Sequence, residues 1–100
     1  MRLLLVVTDP DAVTEMERNL LAGGHAGFTV VPNAWGSGRT GFHTGDRVHP
    51  GGTPVMFTVV PQDQEDGVVA LIREARDRTG AREVTRIYSL PAEEVSSVMP

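Results

Sequence analysis

Residues 2–10 have the sequence Arg-Leu-Leu-Leu-Val-Val-Thr-Asp-Pro, in which a short apolar run is followed at once by a helix-start signal. A continuous apolar run of this length is typical of a central strand that is buried on both faces. Asp9 offers a side-chain oxygen to the unpaired N–H groups of a helix, and Pro10 suits the first helical turn. The stretch therefore predicts a buried strand that leads directly into a helix.

The alternation of strands and helices continues along the chain. Apolar residues at helical spacing predict a first helix that ends at Gly23-Gly24 and a second helix over residues 62–78. Further strands are predicted over residues 27–33, 55–60 and 84–90. The order β-α-β-β-α-β predicts an α+β ferredoxin-like sandwich, in which both helices cover one face of an antiparallel sheet. At this length we expect a single domain over residues 1–100.

Residues 36–54 interrupt this pattern between the second and third strands. The segment holds six of the eleven glycines and two of the three histidines, and it has no apolar periodicity. Irregular connections of this length are usually functional or disordered. We therefore expect a long functional loop between the second and third strands.

The composition excludes several kinds of chemistry. The formal charge of −4 argues against nucleic acid or an anionic membrane as the main partner. All nine basic residues are arginines, so a P-loop lysine and a Schiff-base mechanism are impossible. The absence of cysteine excludes thiol nucleophiles, disulfides and zinc–cysteine sites. No apolar run approaches the ~20 residues that span a bilayer, so we expect a cytoplasmic protein without direct membrane insertion.

The beginning of the segment 36–54 resembles the entry to the T-loop of PII signalling proteins, in which the sequence is roughly Gly-Phe-Gly-Arg-x-x-x-His-Thr. The residues at matching spacings are Gly36, Gly38, Arg39, His43 and Thr44. The preceding Gly27-Phe28-Thr29-Val30 is similar to the PII pattern Gly-Met-Thr-Val, and residues 90–95 are similar to the segment that closes the PII domain. The resemblance covers nearly the whole chain and marks residues 36–54 as a T-loop-like segment.

This resemblance implies a regulatory protein that acts as a homotrimer. Members of the family bind a small-molecule effector in clefts between subunits, and ATP, ADP or AMP are the candidates here. They regulate a target protein, such as a transporter, an enzyme or a regulator, through the loop. The ligand-binding residues implied for this chain are Thr29, Gly36, Ser37, Gly38, Arg39, Arg82 and Arg86. No catalytic arrangement stands out in the sequence, so we expect no enzymatic activity.

The chain also departs from the PII pattern where phosphates are bound. Residues 80–85 have the sequence Gly-Ala-Arg-Glu-Val-Thr, with one glycine and an acidic residue in place of a glycine-rich phosphate loop. Arg86 stands where PII relatives have a phosphate-binding lysine, and the C-terminal arginines that help hold ATP have no counterpart. The segment contains no tyrosine, which excludes uridylylation of a loop tyrosine. These departures favour a different ligand or a weaker site of the AMP/ADP type.

Two other interpretations come from different classes of protein. His43, Asp46 and His49 supply two imidazoles and a carboxylate, which can bind a divalent metal ion. The alternative function is therefore a metal-binding or metal-tolerance protein, of the trimeric CutA type or PII-like. A third interpretation is an amino-acid-binding module of the ACT type or a purely structural module, and the long segment argues against it.

Overall fold

The computed structural model describes residues 1–34, 36–38, 41–43 and 53–96. Its strands are β1 (Arg2–Val7), β2 (Phe28–Ala34), β3 (Gly36–Gly38), β4 (Gly41–His43), β5 (Thr53–Val60) and β6 (Arg86–Pro91). Its helices are α1 (Pro10–Ala22) and α2 (Glu65–Arg78), and a short 3-10 helix over Gln62–Gln64 precedes α2.

The main sheet has the strand order β2-β5-β1-β6, and all of its neighbouring strands are antiparallel. α1 connects β1 to β2, which lies beyond β5, and α2 connects β5 to β6, which lies beyond β1. β3 and β4 form a separate two-stranded hairpin. The predicted α+β ferredoxin-like fold is therefore confirmed, with β1 in the interior of the sheet as its apolar sequence indicates.

The start and the end of α1 follow the sequence signals. The Asp9 carboxylate accepts a hydrogen bond from the Ala12 N–H at 2.8 Å. At the other end, the His25 N–H donates to the Leu20 carbonyl oxygen at 2.7 Å, and Gly24 has a left-handed φ of 84°. Because this conformation costs glycine little, the helix can end there without strain.

The hydrophobic core lies between the sheet and the two helices. Its largest fully buried side chains come from β1, β5 and both helices, and they are Leu4, Val6, Met16, Leu20, Met56, Val68 and Ile72. Asn19 joins the helices above this core, because its side-chain amide donates to the Leu71 carbonyl oxygen at 2.9 Å and accepts from Arg78 at 3.0 Å. Leu21 also falls at helical spacing with the apolar residues of α1, which favours a buried side chain, but it is 56% exposed.

The second face of the sheet carries neither helix, and we call it the open face. Alternation along the strands and the cross-strand register place these residues on it: Leu3, Leu5, Val7, Thr29, Val31, Val55, Phe57, Val59, Arg86, Tyr88 and Leu90. Val59, Tyr88 and Leu90 are 49%, 52% and 45% exposed. The open face is therefore an apolar surface that the described part of the chain leaves partly exposed.

The structure differs from the sequence prediction mainly at the ends of elements. Residues 36–43 contain the β3–β4 hairpin within the segment expected to be irregular, and β5 begins at Thr53, two residues earlier than predicted. Three-residue strands that contain glycine have too little apolar alternation to be recognised in a sequence. β6 begins at Arg86 because residues 82–84 form a turn.

A proline lies in each edge strand of the main sheet. Pro32 lies in the part of β2 where the register with β5 shifts, and Pro91 is the last residue of β6. The Ala92 N–H donates to the Met1 carbonyl oxygen at 3.0 Å. Because successive N–H groups of a strand point in opposite directions, the Pro91 nitrogen faces the outer edge of the sheet.

Candidate functional site

Two of the predicted ligand residues, Arg82 and Arg86, lie on the connection between α2 and β6. We call residues 81–86 the arginine turn. Gly80 precedes it with a left-handed φ of 71°, and the Ala81 N–H donates to the Arg76 carbonyl oxygen at 2.9 Å. Residues 81 and 85 are buried, whereas residues 82–84 are exposed. The turn is therefore anchored at both ends and presents its middle to solvent.

Arg86 stabilises the arginine turn from within. Its Nη1 donates to the carbonyl oxygens of Glu83 at 3.0 Å and Thr85 at 2.9 Å. The Nε and Nη2 atoms make no hydrogen bond with the part of the chain that the structure describes. A guanidinium carries five N–H donors in a fixed plane. Arg86 can therefore hold the turn and still donate to an anion outside it.

Arg82 belongs to a small cluster of charges at the end of α2. Asp77 accepts from Arg76 Nε at 2.8 Å and from Arg82 Nε at 3.4 Å. The hydrogen bond from Arg76 is the main reason why the pKa of Asp77 lies below its ordinary value, and Arg82 lowers the pKa further against an opposing effect of partial burial. The Arg82 side chain is 72% exposed, so solvent screens this pair strongly. Arg82 remains accessible to a ligand.

Thr29 lies on the exposed side of β2, far from the arginine turn. It pairs with Phe57 across the ladder, while Arg86 pairs with Val7. Both side chains belong to the open face, but β2 and β6 are the two opposite edge strands. Three strand spacings of about 4.8 Å separate these strands, or about 14 Å across the sheet. One chain does not bring Thr29 and the arginine turn into one pocket.

The remaining predicted ligand residues lie in segment 36–54. Gly36, Ser37 and Gly38 form β3, with Ser37 opposite Phe42 in the hairpin. Arg39 lies outside the described residues. The backbone of β3 thus follows directly on the edge strand β2, which carries Thr29.

One of the three predicted metal ligands belongs to the described residues. His43 is the last residue of β4, whereas Asp46 and His49 lie outside the described residues. Over residues 1–34 and 53–96, no three side chains of the types His, Cys, Asp and Glu come together as a metal site. The metal site in segment 36–54 stays a prediction.

Sequence reasoning missed two features of the site. One is the role of Arg86 in holding its own turn, for which the sequence offers no signal, because carbonyl oxygens are present at every residue. The other is the pairing of Thr8 with Thr85, whose hydroxyl oxygens lie 2.8 Å apart in the buried part of the chain. A threonine at the end of an apolar strand is the only signal for it, and strand propensity explains such a threonine equally well.

An open groove lies at the far end of the sheet from the arginine turn. Its volume is about 370 Å³, and it is lined by Met1, Val59, Ala92, Glu93 and Glu94. Val59 connects its floor to the open face. No predicted ligand residue lines this groove.

Comparison with known proteins gives the chain its family. No helix of the described part is long and apolar enough to cross a membrane. No curated protein matches the chain. The family model for nitrogen regulatory protein P-II matches residues 1–100. The helices and the strands of the main sheet, which follow one another as β1-α1-β2-β5-α2-β6, lie within this span. The chain therefore belongs to the nitrogen regulatory protein P-II family and is a PII-like regulatory protein of signal transduction.

Proposed function

We propose that the protein is a homotrimer that binds a small effector between its subunits and regulates a target protein through segment 36–54. The effector that the residues favour is an adenine nucleotide with few phosphates. One observation carries the proposal: the sheet has an apolar open face with the two groups of predicted ligand residues at its opposite edges.

The open face supports an assembly of several copies. β1 is apolar at every position from Leu3 to Val7, as in strands that are buried on both faces. In one chain, the helices bury only the side that carries Leu4 and Val6. Large exposed apolar surfaces of this kind mark sites of association. Contact between the open faces of neighbouring copies would bury the other side of β1 as well.

The positions of the predicted ligand residues support a cleft between copies. Thr29 and Arg86 are about 14 Å apart across one sheet, which exceeds the reach of a compact ligand site. A second copy that packs against the open face can bring the β2 edge of one subunit near the β6 edge of another. Each cleft would then combine Thr29 and β3 from one copy with the arginine turn of its neighbour.

The charge of the arginine turn supports an anionic ligand of modest charge. Arg76, Arg82 and Arg86 surround the turn, while Asp77 and Glu83 offset part of their charge. Arginine donates well to phosphate oxygens, and a guanidinium with unused N–H groups is suited to that role. A monophosphate or diphosphate matches this balance better than a triphosphate.

Segment 36–54 is the proposed contact with a target protein, whether a transporter, an enzyme or another regulator. It leaves the sheet after the edge strand β2 and returns at Thr53 in β5, next to the proposed cleft. A ligand that contacts β3 would therefore act at the base of the segment. Ordering of a segment by a bound ligand is a general way to change a partner surface.

Two measurements test this proposal. Sedimentation velocity gives the mass, for which we expect three times 10.8 kDa, and calorimetry gives the affinities for ATP, ADP and AMP. When the free ligand concentration is 100 times the dissociation constant, binding stabilises the folded chain by about 2.7 kcal/mol, and a thermal shift readily detects this. A monomeric mass would overturn the assembly. A trimer that binds none of the three nucleotides would overturn the ligand class and leave the assembly standing.

A further inference from the structure

The end of β1 contains a buried chain of hydrogen bonds that the proposed ligand contacts do not include. The Thr85 hydroxyl donates to the Ala81 carbonyl oxygen at 2.6 Å. A hydroxyl has one proton to donate, so Thr85 accepts from Thr8, whose hydroxyl oxygen lies 2.8 Å away. Thr8 is 3% exposed and Thr85 is 6% exposed. The two hydrogen bonds therefore run from the Thr8 hydroxyl to the Thr85 hydroxyl and from there to the Ala81 carbonyl oxygen, and both hydroxyls are buried.

Thr8 is also hydrogen-bonded to β5, on the side of β1 opposite to β6. Its backbone N–H donates to the Pro54 carbonyl oxygen at 3.3 Å. Pro54 is fully buried and is the last residue of segment 36–54. The ladder register puts Thr8 directly between Pro54 and Thr85, one position beyond the pairs Val7–Val55 and Val7–Arg86. One residue thus contacts both the returning end of the segment and the arginine turn.

We propose that Thr8 and Thr85 are positioning residues, which hold the arginine turn in register with the base of segment 36–54. Three carbonyl oxygens of the turn accept hydrogen bonds from side chains within it. The Thr85 hydroxyl donates to the carbonyl oxygen of Ala81, and Arg86 donates to those of Glu83 and Thr85. Loss of the hydroxyl chain would remove the buried side-chain hydrogen bonds of the turn and leave only the bonds from Arg86 and from the Ala81 N–H. The functional part of this inference, that the register matters for a nucleotide, rests on the proposed function.

Thr8 and Thr85 differ in the hydrogen bonds that are lost when each is replaced by valine, so the two variants should behave differently. Thr85→Val leaves the Ala81 carbonyl and the Thr8 hydroxyl without partners, whereas Thr8→Val leaves the bond from Thr85 to Ala81 intact. Buried groups that lose their partner account for most of the effect of such substitutions. The Thr85→Val variant should therefore loosen the turn more than Thr8→Val. The double variant should loosen it no more than Thr85→Val alone.

The experiment is amide hydrogen exchange of the full chain, followed residue by residue over residues 82–86. We expect exchange about two- to tenfold faster in Thr8→Val and Thr85→Val, the range that one buried hydrogen bond supplies. The matched control is Thr58→Val, because Thr58 is 6% exposed and donates to the Gly27 carbonyl oxygen at 2.8 Å, away from the turn. Thr58→Val should lower the melting temperature without selectively faster amide hydrogen exchange at residues 82–86. Equal exchange there in Thr8→Val and Thr58→Val would overturn the inference.

Two further measurements keep the inference testable if a valine variant folds poorly. Thr8→Ser keeps the hydroxyl and should restore slow exchange at residues 82–86; failure to do so would overturn the role of the hydroxyl. The affinity for AMP should fall in Thr8→Val and not in Thr58→Val. If the wild-type chain binds no nucleotide while the exchange pattern is as expected, the proposed function fails and the positioning role stands.

Discussion

Thr29 and Arg86 belong to the same open face of the sheet but lie on its two opposite edge strands, with β5 and β1 between them. Both residues belong to the set that resemblance to PII proteins implies for one ligand site. Their separation in a single chain is therefore a physical reason to expect the site at a contact between copies.

A charge on the open face should prevent assembly. Tyr88 is 52% exposed, so Tyr88→Glu should leave the fold of one chain intact while it places a carboxylate in the proposed contact. Sedimentation velocity should then give the mass of a monomer. The control is Leu21→Glu, since Leu21 is 56% exposed on the helical side and is not part of the open face. A trimeric mass for Tyr88→Glu would contradict the contact.

Removal of the Arg86 charge should weaken the nucleotide site. Arg86→Gln leaves an amide that can donate to the turn but removes the cation, so the affinity for AMP or ADP should fall by about tenfold or more, as expected for a charged hydrogen bond. Arg86→Lys keeps the charge but lacks the planar set of donors. Its affinity for the nucleotide should therefore lie between that of the wild type and that of Arg86→Gln. Arg73→Gln is the matched control, because Arg73 is exposed on α2 and makes no ion pair in the described part of the chain. Calorimetric titration measures all four proteins, and similar losses for Arg73→Gln and Arg86→Gln would contradict the role of Arg86.

Glu65 should make the stability depend on pH in the acidic range. The hydrogen bond from the Ser89 hydroxyl is the main cause that lowers the pKa of Glu65 below its ordinary value of 4.5, and Arg2 lowers it further against partial burial. A lowered pKa in the folded state means that the ionised carboxylate stabilises the fold. This stabilisation is present above about pH 4.5 and is lost as the pH falls through the lowered pKa.

Melting temperatures of wild type and Glu65→Gln between pH 7 and pH 3 check this prediction. The difference between the two proteins should be largest at neutral pH and should shrink below about pH 4.5. Asp66→Asn removes one negative charge from the same turn of α2 and controls for net charge. A difference that stays constant across the range would show that the contact with Arg2 and Ser89 does not depend on ionisation.

The N-cap of α1 should contribute measurably to stability. Asp9→Ala removes the acceptor of the Ala12 N–H and should cost about 1 kcal/mol, whereas Asp9→Asn keeps a side-chain oxygen and should cost much less. Chemical denaturation at one fixed protein concentration measures both, since an assembled chain unfolds in a concentration-dependent way. Equal losses in the two variants would indicate that the charge, and not the hydrogen bond, is the important property.

The metal hypothesis has its own test. Two histidines and one carboxylate in segment 36–54 predict that the chain binds a divalent ion such as Zn²⁺ or Ni²⁺. Calorimetry should then detect binding to the wild type that is lost in a His43→Ala/His49→Ala variant, while His25→Ala retains it. Unchanged binding in the double variant would exclude these two ligands.

Local signals allowed most of the fold to be predicted. The apolar run before Thr8 and the Asp9-Pro10 pair fix β1 and the start of α1, since both depend only on residues next to each other in sequence. The β3–β4 hairpin was missed because Gly36 and Gly38 give no alternation of apolar residues. The start of β6 was misplaced by two residues because the turn depends on Thr85 and its contacts with distant residues.

The candidate site was less predictable than the fold. The resemblance singled out Thr29 and Arg86, but their places on opposite edges follow from strand order, which no local pattern encodes. The bond between Thr8 and Thr85 joins residues 77 positions apart in sequence. Such a contact depends on the packed sheet and could be identified only in three dimensions.

Pro91 has a consequence for the behaviour of the protein at high concentration. A strand from another molecule that added to the β6 edge would meet a nitrogen that has no hydrogen to donate. The other edge strand, β2, also contains a proline, Pro32. Prolines in edge strands hinder the edge-to-edge addition of strands that leads to fibrils. At high concentration, growth of the main sheet by addition of strands from other molecules should therefore be disfavoured.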